Sequence, residues 1–290
     1  MPSALKFFLS MLALCSLTTA VTSEQHRKWN TPVKPFRIVG NIYYVGASDL
    51  TSFLITSPRG HILLDGGLPQ TAPQIERNVA ALGFNMKDVK LLLNSHAHFD
   101  HAGGLAELKR ISGARMIASR QDAPALMDGD KDDFAWPGTV SFPSVHVDRI
   151  VADGETLTVG EIAITAHLTP GHTKGCTTWT MPVSDGGKTY AAVFVCSTSV
   201  PGYQLIGNRQ YPNIVANYQQ TFRALRSLRC EVFLASHGAF FDLTAKHRAL
   251  ERGVKPNPFI DPDGYRSFID GTEHEFRRRL SEQAAKKRHS

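Results

Sequence analysis

The sequence predicts a mixed α/β fold, in which two sheets pack together with helices outside them. Two observations carry this. Strand-like and helix-like runs alternate as strands, helices, strands, helices, and β-hairpins recur in both halves of the chain. No low-complexity linker divides the 290 residues, and their 42% hydrophobic and 20% charged content is enough for one sizeable core.

The elements follow in chain order. Lys6, the apolar run Phe7 to Leu17 and the small-residue end Thr18-Thr19-Ala20 read as an export leader over residues 1–20, cleaved near Ala20. That run is too short to span a bilayer. Residues 21–290 are then a single exported domain, expected in the periplasm, with no membrane contact after cleavage. Val21 to Pro35 is polar and irregular. Ile38 to Val45 and Thr51 to Thr56 read as strands, and the turn Ser57-Pro58-Arg59-Gly60 leads into His61 to Leu64. Asp65-Gly66-Gly67 breaks that strand, with Asp65 expected to orient the turn or a ligand. Ile75, Val79 and Leu82 give Ala72 to Leu82 a helical stripe that stops at Gly83.

Val89 to Leu93 is a short apolar strand that runs into Asn94-Ser95-His96-Ala97-His98-Phe99-Asp100-His101. A helix over Ala102 to Ile111, a strand over Met116 to Ala118 and a short helix over Gln121 to Met127 come next. Asp128 to Val145 is a long loop carrying Phe134, Trp136 and Phe142, which either wall a cleft or pack the loop down. Thr156 to Val159 with Ile162 to Leu168, and Thr177 to Met181 with Tyr190 to Val195, form two hairpins. Helices are expected over Tyr218 to Leu228, Leu243 to Leu250 and Glu273 to Ala285, with a strand over Val232 to Leu234 that leads to His237.

The chemistry lies in His96-x-His98-x-Asp100-His101. Four potential metal ligands fall within six residues at the end of an apolar strand, and imidazole and carboxylate both suit Zn²⁺. One tetrahedral ion could hardly use all four from so tight a run, whereas two neighbouring ions could. His172, in Thr169-Pro170-Gly171-His172-Thr173, and His237, in Ala235-Ser236-His237-Gly238, each follow another apolar strand into a small-residue turn. Three strand ends thus deliver histidine to one rim. His167 is open as a support for His172. His26, His274 and His289 lie in polar terminal regions and are read as solvated.

Other features are blander. The net charge of +6 gathers in the tail, at Arg277, Arg278, Arg279, Lys286, Lys287 and Arg288. Without a nucleic-acid module beside it, this reads as a solvated helix face, and no nucleic-acid partner is expected. Cys15 leaves with the leader. Cys176 and Cys196 fall on consecutive strands and could face each other, while Cys230 reads as a buried thiol.

The six-residue motif, Pro170-Gly171-His172-Thr173 and Ser236-His237-Gly238 together resemble the metallo-β-lactamase superfamily, from about Ile38 to Tyr265. The resemblance implies a four-layer αββα sandwich with a binuclear zinc site at the edge of its two sheets. Many hydrolases of that superfamily place a metal-bridging Asp before the last histidine. Here Ser197 stands in that place, within Val195-Cys196-Ser197-Thr198-Ser199, which is similar to subclass B3 metallo-β-lactamases. The runs Gly171 to Trp179 and Asn257 to Pro262 are similar to that subclass as well.

The resemblance further implies two Zn²⁺ ions, one held by His96, His98 and His172 and the other by Asp100, His101 and His237. It implies hydrolysis of the β-lactam amide, with Asp100 serving catalysis as well as metal binding, and with Ser197 and Ser199 binding the substrate carboxylate. Some members pair a cysteine near position 265 with one near Cys230. Tyr265 stands here instead, which leaves Cys230 unpaired and favours a Cys176–Cys196 disulfide. Physically, three neutral imidazoles leave a zinc ion's charge unquenched, so that a water shared with a second ion would lose its proton near neutral pH. No serine nucleophile is then required. The competing expectations are another exported hydrolase of this fold, acting on a lactone, thioester or phosphodiester, and a zinc-binding protein without turnover. The protein is expected to be monomeric, with a small β-lactam as its only partner.

Overall fold

The computed structural model describes residues 24–138 and 141–288. The leader expected at 1–20, with Cys15, and His289 lie outside them. One sheet holds seven strands in chain order: β1 (Phe36–Val39), β2 (Ile42–Tyr44), β3 (Phe53–Ile55), β4 (His61–Leu64), β5 (Val89–Leu93), β6 (Arg115–Ser119) and β7 (Arg149–Val151). β1 to β4 pair antiparallel through short turns, whereas β4 to β7 pair parallel. Parallel pairing needs a crossover between strands. Helix α1 (Ala72–Ala81) supplies the first, α2 (Phe99–Ala102) and α3 (Leu105–Ser112) the second, and α4 (Ala123–Asp128) with the long loop the third.

The other sheet is built from β8 (Thr156–Val159), β9 (Ile162–Leu168), β10 (Thr177–Asp185), β11 (Lys188–Val195) and β12 (Val232–Ala235), in the order β12-β11-β10-β9-β8. Helix α5 (Ile214–Ser227) makes the crossover that sets β12 parallel to β11. Helices α6 (Leu243–Glu251) and α7 (Pro262–Arg288) close the chain.

Side-chain alternation explains how the layers stack. Successive residues of a strand face opposite sides. Phe53, Ile55, Ile62, Leu64, Leu91 and Leu93 therefore point into one core with Ile164, Trp179, Phe194 and Leu234 of the second sheet. Their neighbours Leu54, Leu63 and Leu92 point the other way, onto Ile75 and Val79 of α1 and Leu105 and Leu108 of α3. On the far side, Ile214, Tyr218, Phe222 and Leu225 of α5 and Tyr265, Ile269 and Phe276 of α7 cover the second sheet. Strands covered on both faces read as continuous apolar runs, as Leu91 to Leu93 does. Burying each such side chain is worth roughly 1.5–3 kcal/mol.

The structure departs from expectation in places, each for a local reason. Ile38 to Val45 is two strands, because Gly40 at φ +50° turns the chain between them. Residues 24–29 are helical where an irregular start was expected. Strand β7 was not foreseen, since its three residues gain their form only by pairing with β6. α7 starts well before Glu273, because Gly264 and Gly271 dilute a stripe whose buried members are Tyr265, Ile269 and Phe276. Phe142 lies in the core under the long loop. Cys176 and Cys196 form a disulfide, and Cys230 is buried and, among the described residues, a free thiol.

Candidate metal centre

Three strand ends meet at one rim. β5 ends at Leu93, and the chain turns through Asn94 and Ser95 into His96, His98, Asp100 and His101, the last two already in α2. β9 ends at Leu168 ahead of His172, and β12 ends at Ala235 ahead of His237. The turns are tied by buried polar contacts. The Asp65 carboxylate, on a residue at φ +63°, accepts from the Ser95 backbone N–H (2.6 Å) and the Asn94 amide (2.9 Å). Asp122 accepts from the Ala97 N–H (3.0 Å), the Thr173 hydroxyl (2.9 Å) and the Gly175 N–H (2.8 Å), so one buried carboxylate joins the first histidine turn to the second. The Trp179 indole donates to the Asn94 carbonyl at 3.2 Å. The Cys176–Cys196 sulfurs lie within 4.8 Å of a ring nitrogen of His96.

All six expected ligands come together. The ligand atoms of His96, His98 and His172 lie within 4.8 Å of one another, with ring centroids 4.7–4.9 Å apart. Beside them, Asp100 Oδ2 is 3.5 Å from His101 Nε2 and 3.6 Å from His237 Nε2, and the two Nε2 atoms are 3.2 Å apart. Four of the histidines have Nδ1 turned to the protein. His96 meets the Ser95 hydroxyl (3.0 Å), and His101 faces Asp65 Oδ2 (3.8 Å). His172 donates to the Ser199 carbonyl (3.0 Å), and His237 donates to the Asp49 carboxylate (2.8 Å). A ring that donates from Nδ1 keeps a lone pair on Nε2.

Burial sets the charge. It is the main reason that His96 and His172 are pushed well below the ordinary imidazole value, and the neighbouring rings add to it. Burial alone would raise Asp100, but His101, His237 and His98 outweigh it and hold the carboxyl below the usual range. For His101 burial opposes charge, while Asp100, Asp65 and Asp49 favour it and prevail.

The donor set fits a cation. His96 Nε2 is buried and has no hydrogen-bond partner among the described residues, and its ring faces two other imidazoles. Nitrogen lone pairs converging in a buried site stay uncompensated unless something electron-poor sits among them.

Ser197 and Ser199 lie beside the first histidine group. Their hydroxyls are 3.1 Å apart, and the Ser199 hydroxyl is 3.2 Å from His172 Nδ1. Ser197 is buried and Ser199 is half-buried. On the long loop, Phe134 packs on Tyr203 and Tyr211, while Trp136 sits 6.1 Å from His98 and 5.3 Å from Tyr203. A cavity of about 330 Å³ opens there, lined by His98, Asp122, Asp130, Asp133, Phe134 and Lys174 among others. Burial pushes the Asp130 carboxyl up to about 7, with His98 opposing and Asp133, Asp122 and Asp128 adding.

Sequence reasoning missed Asp49, Asp122 and Asp133. Each reaches the site from a remote segment, and no local pattern marks it. Two histidines are corrected or placed elsewhere. His26 is half-buried against Phe99 (5.0 Å) and Trp29, and His167 bonds Thr180 on the neighbouring strand at 2.8 Å.

Comparison with known proteins agrees with this fold. Residues 46–182 match the model of the metallo-beta-lactamase superfamily. The structure is similar to that of the native FEZ-1 metallo-β-lactamase from Legionella gormanii, with 43% identity, a TM-score of 0.86, and coverage of 88% of this chain and 98% of that one. It is also similar to BJP-1, a subclass B3 metallo-β-lactamase of Bradyrhizobium japonicum, at 38% identity and a TM-score of 0.83, covering 89% and 98% of the two chains. Among curated sequences, a hydroxyacylglutathione hydrolase from a Bradyrhizobium species is 32% identical over 126 residues, 43% of this chain. That match spans 41% of the relative's own length.

Proposed function

The chain belongs to the metallo-β-lactamase superfamily, and from that membership we propose that it is an exported, zinc-dependent β-lactamase that hydrolyses the cyclic amide of β-lactam antibiotics. The observation that carries this is the convergence of five histidines and Asp100 from three strand ends onto one buried rim, beside paired serine hydroxyls. Full-length likeness to β-lactamases supports it over the partial likeness to a thioester hydrolase.

Two Zn²⁺ ions would be held, one by His96, His98 and His172, the other by Asp100, His101 and His237. When bound, they supply the Lewis acidity that activates water and polarises the lactam carbonyl. The residues of the chain do the rest. Asp100, acidic and buried, accepts the hydrogen bond of the attacking water and so orients it. Ser199 donates its hydroxyl to the substrate carboxylate, while Ser197 steadies Ser199 from behind or acts through a water. Trp136 and Phe134 offer an apolar wall to the group the lactam carries.

The Cys176–Cys196 disulfide supports export to an oxidising compartment, the periplasm. No described helix is long and apolar enough to cross a membrane. We read the mature protein as a single domain over 21–290, monomeric, without nucleic-acid or membrane partners, and conferring antibiotic resistance. N-terminal sequencing of the exported protein should begin at Val21.

The decisive assay uses purified protein and a chromogenic cephalosporin. Hydrolysis should stop with a chelator and return with zinc. Chelator-insensitive hydrolysis, or none at full zinc occupancy, overturns the reading. Turnover of a hydroxyacylglutathione thioester in place of the cephalosporin would establish the alternative that the curated relative favours.

A further inference from the structure

Resting on the reading of His96, His98 and His172 as one metal triad, we propose that Asp133 is a positioning residue: its carboxylate holds His98 in the tautomer that leaves Nδ1 for the metal, and the same carboxylate seats the loop that carries Trp136. The clue is an inversion. His96, His101, His172 and His237 all turn Nδ1 to the protein and keep Nε2 for the site. His98 alone turns Nε2 outward, to Asp133 Oδ2 at 3.6 Å, with both side chains more than nine-tenths buried. Among the described residues its Nε2 makes no hydrogen bond. A proton on Nε2 facing the carboxylate leaves the lone pair on Nδ1, the nitrogen on the other side of the ring.

Asp133 is itself fixed. Its Oδ1 accepts from the Ala135 N–H (2.7 Å) and the Trp136 N–H (2.6 Å), so Oδ2 is the oxygen left for His98. Those bonds set the turn that places the Trp136 ring 6.1 Å from His98. Any tightening of His98 on a metal is thus felt by the loop, and the loop's seat is felt by the metal, because coupling between two sites is reciprocal.

Asp133→Asn separates this role from packing. The asparagine carbonyl can still accept from Ala135 and Trp136, but its amide then turns N–H toward His98 Nε2 and favours the proton on Nδ1. Zinc affinity at the first triad, measured by competition with a chromophoric chelator, should fall about 10- to 100-fold. The second triad should keep its zinc. In ¹⁵N-resolved NMR of the zinc-loaded wild-type protein, His98 should carry its proton on Nε2, a measurement that needs no variant. An unprotonated Nε2 there, or an Asp133→Asn protein that holds both ions as tightly as wild type, overturns the proposal. Wild-type protein that takes up no zinc at His96 and His172 overturns the metal reading itself, and this inference with it.

Discussion

The two triads share one rim but are braced by different chemistry. In the first, His96 leans on the Ser95 hydroxyl and His172 on the Ser199 carbonyl, both neutral, and only His98 faces a carboxylate. In the second, Asp100 is itself a member, while Asp65 stands behind His101 and Asp49 behind His237. Negative charge is therefore concentrated on one side of a site a few ångströms across. A cation held at the second triad would meet more of this negative charge. One held at the first would keep more of its own, which is what activating water and polarising a carbonyl require. The lesson is that ligand identity alone does not define the two positions, because the atoms behind the ligands divide the labour.

Breaking the first triad should have the largest effect. His172→Ala should lower kcat/KM by about a thousandfold, about 4 kcal/mol, and remove one zinc equivalent by elemental analysis, leaving the other. Loss of both equivalents would mean that the triads are one unit. Next comes the brace under His96. Removing the 20-residue disulfide loop with a Cys176→Ala, Cys196→Ala double variant should cost about 3 kcal/mol in denaturant unfolding. It should loosen the first triad's zinc more than the second's. Asp49→Asn tests the opposite side. Zinc affinity at the second triad should fall about 10- to 100-fold, with the first unchanged, and equal loss at both would erase the distinction drawn here. The smallest effect is expected for Ser197→Ala, a rise of about fivefold in KM from one lost hydrogen bond of about 1 kcal/mol. Its kcat should hold. A fall in zinc content would show that this serine serves the metal and not the substrate.

Much of the site was legible because its signals are local. His96 to His101 follows an apolar strand directly, and His172 and His237 each sit in a small-residue turn after another. Strand ends are rigid, so histidines placed there are placed in space as well. Asp65 was legible too, since Asp65-Gly66-Gly67 has to break the strand before it. The C-terminal helix was half legible, because two glycines blurred its stripe.

Asp49, Asp122 and Asp133 were not legible. An aspartate in a loop is ordinarily an exposed surface residue, and nothing within a few positions tells a solvated one from a buried brace. Residue order by itself determined which groups can bind a cation, where the strands carry them, and that two sheets must share a core, because those properties depend on composition and short spacing. Which carboxylate stands behind which imidazole, and hence which nitrogen of each ring is left for chemistry, was decided only when segments such as 49 and 237, or 98 and 133, packed together. A tautomer is set by the nearest acceptor in space, and distance in space is not written in distance along the chain.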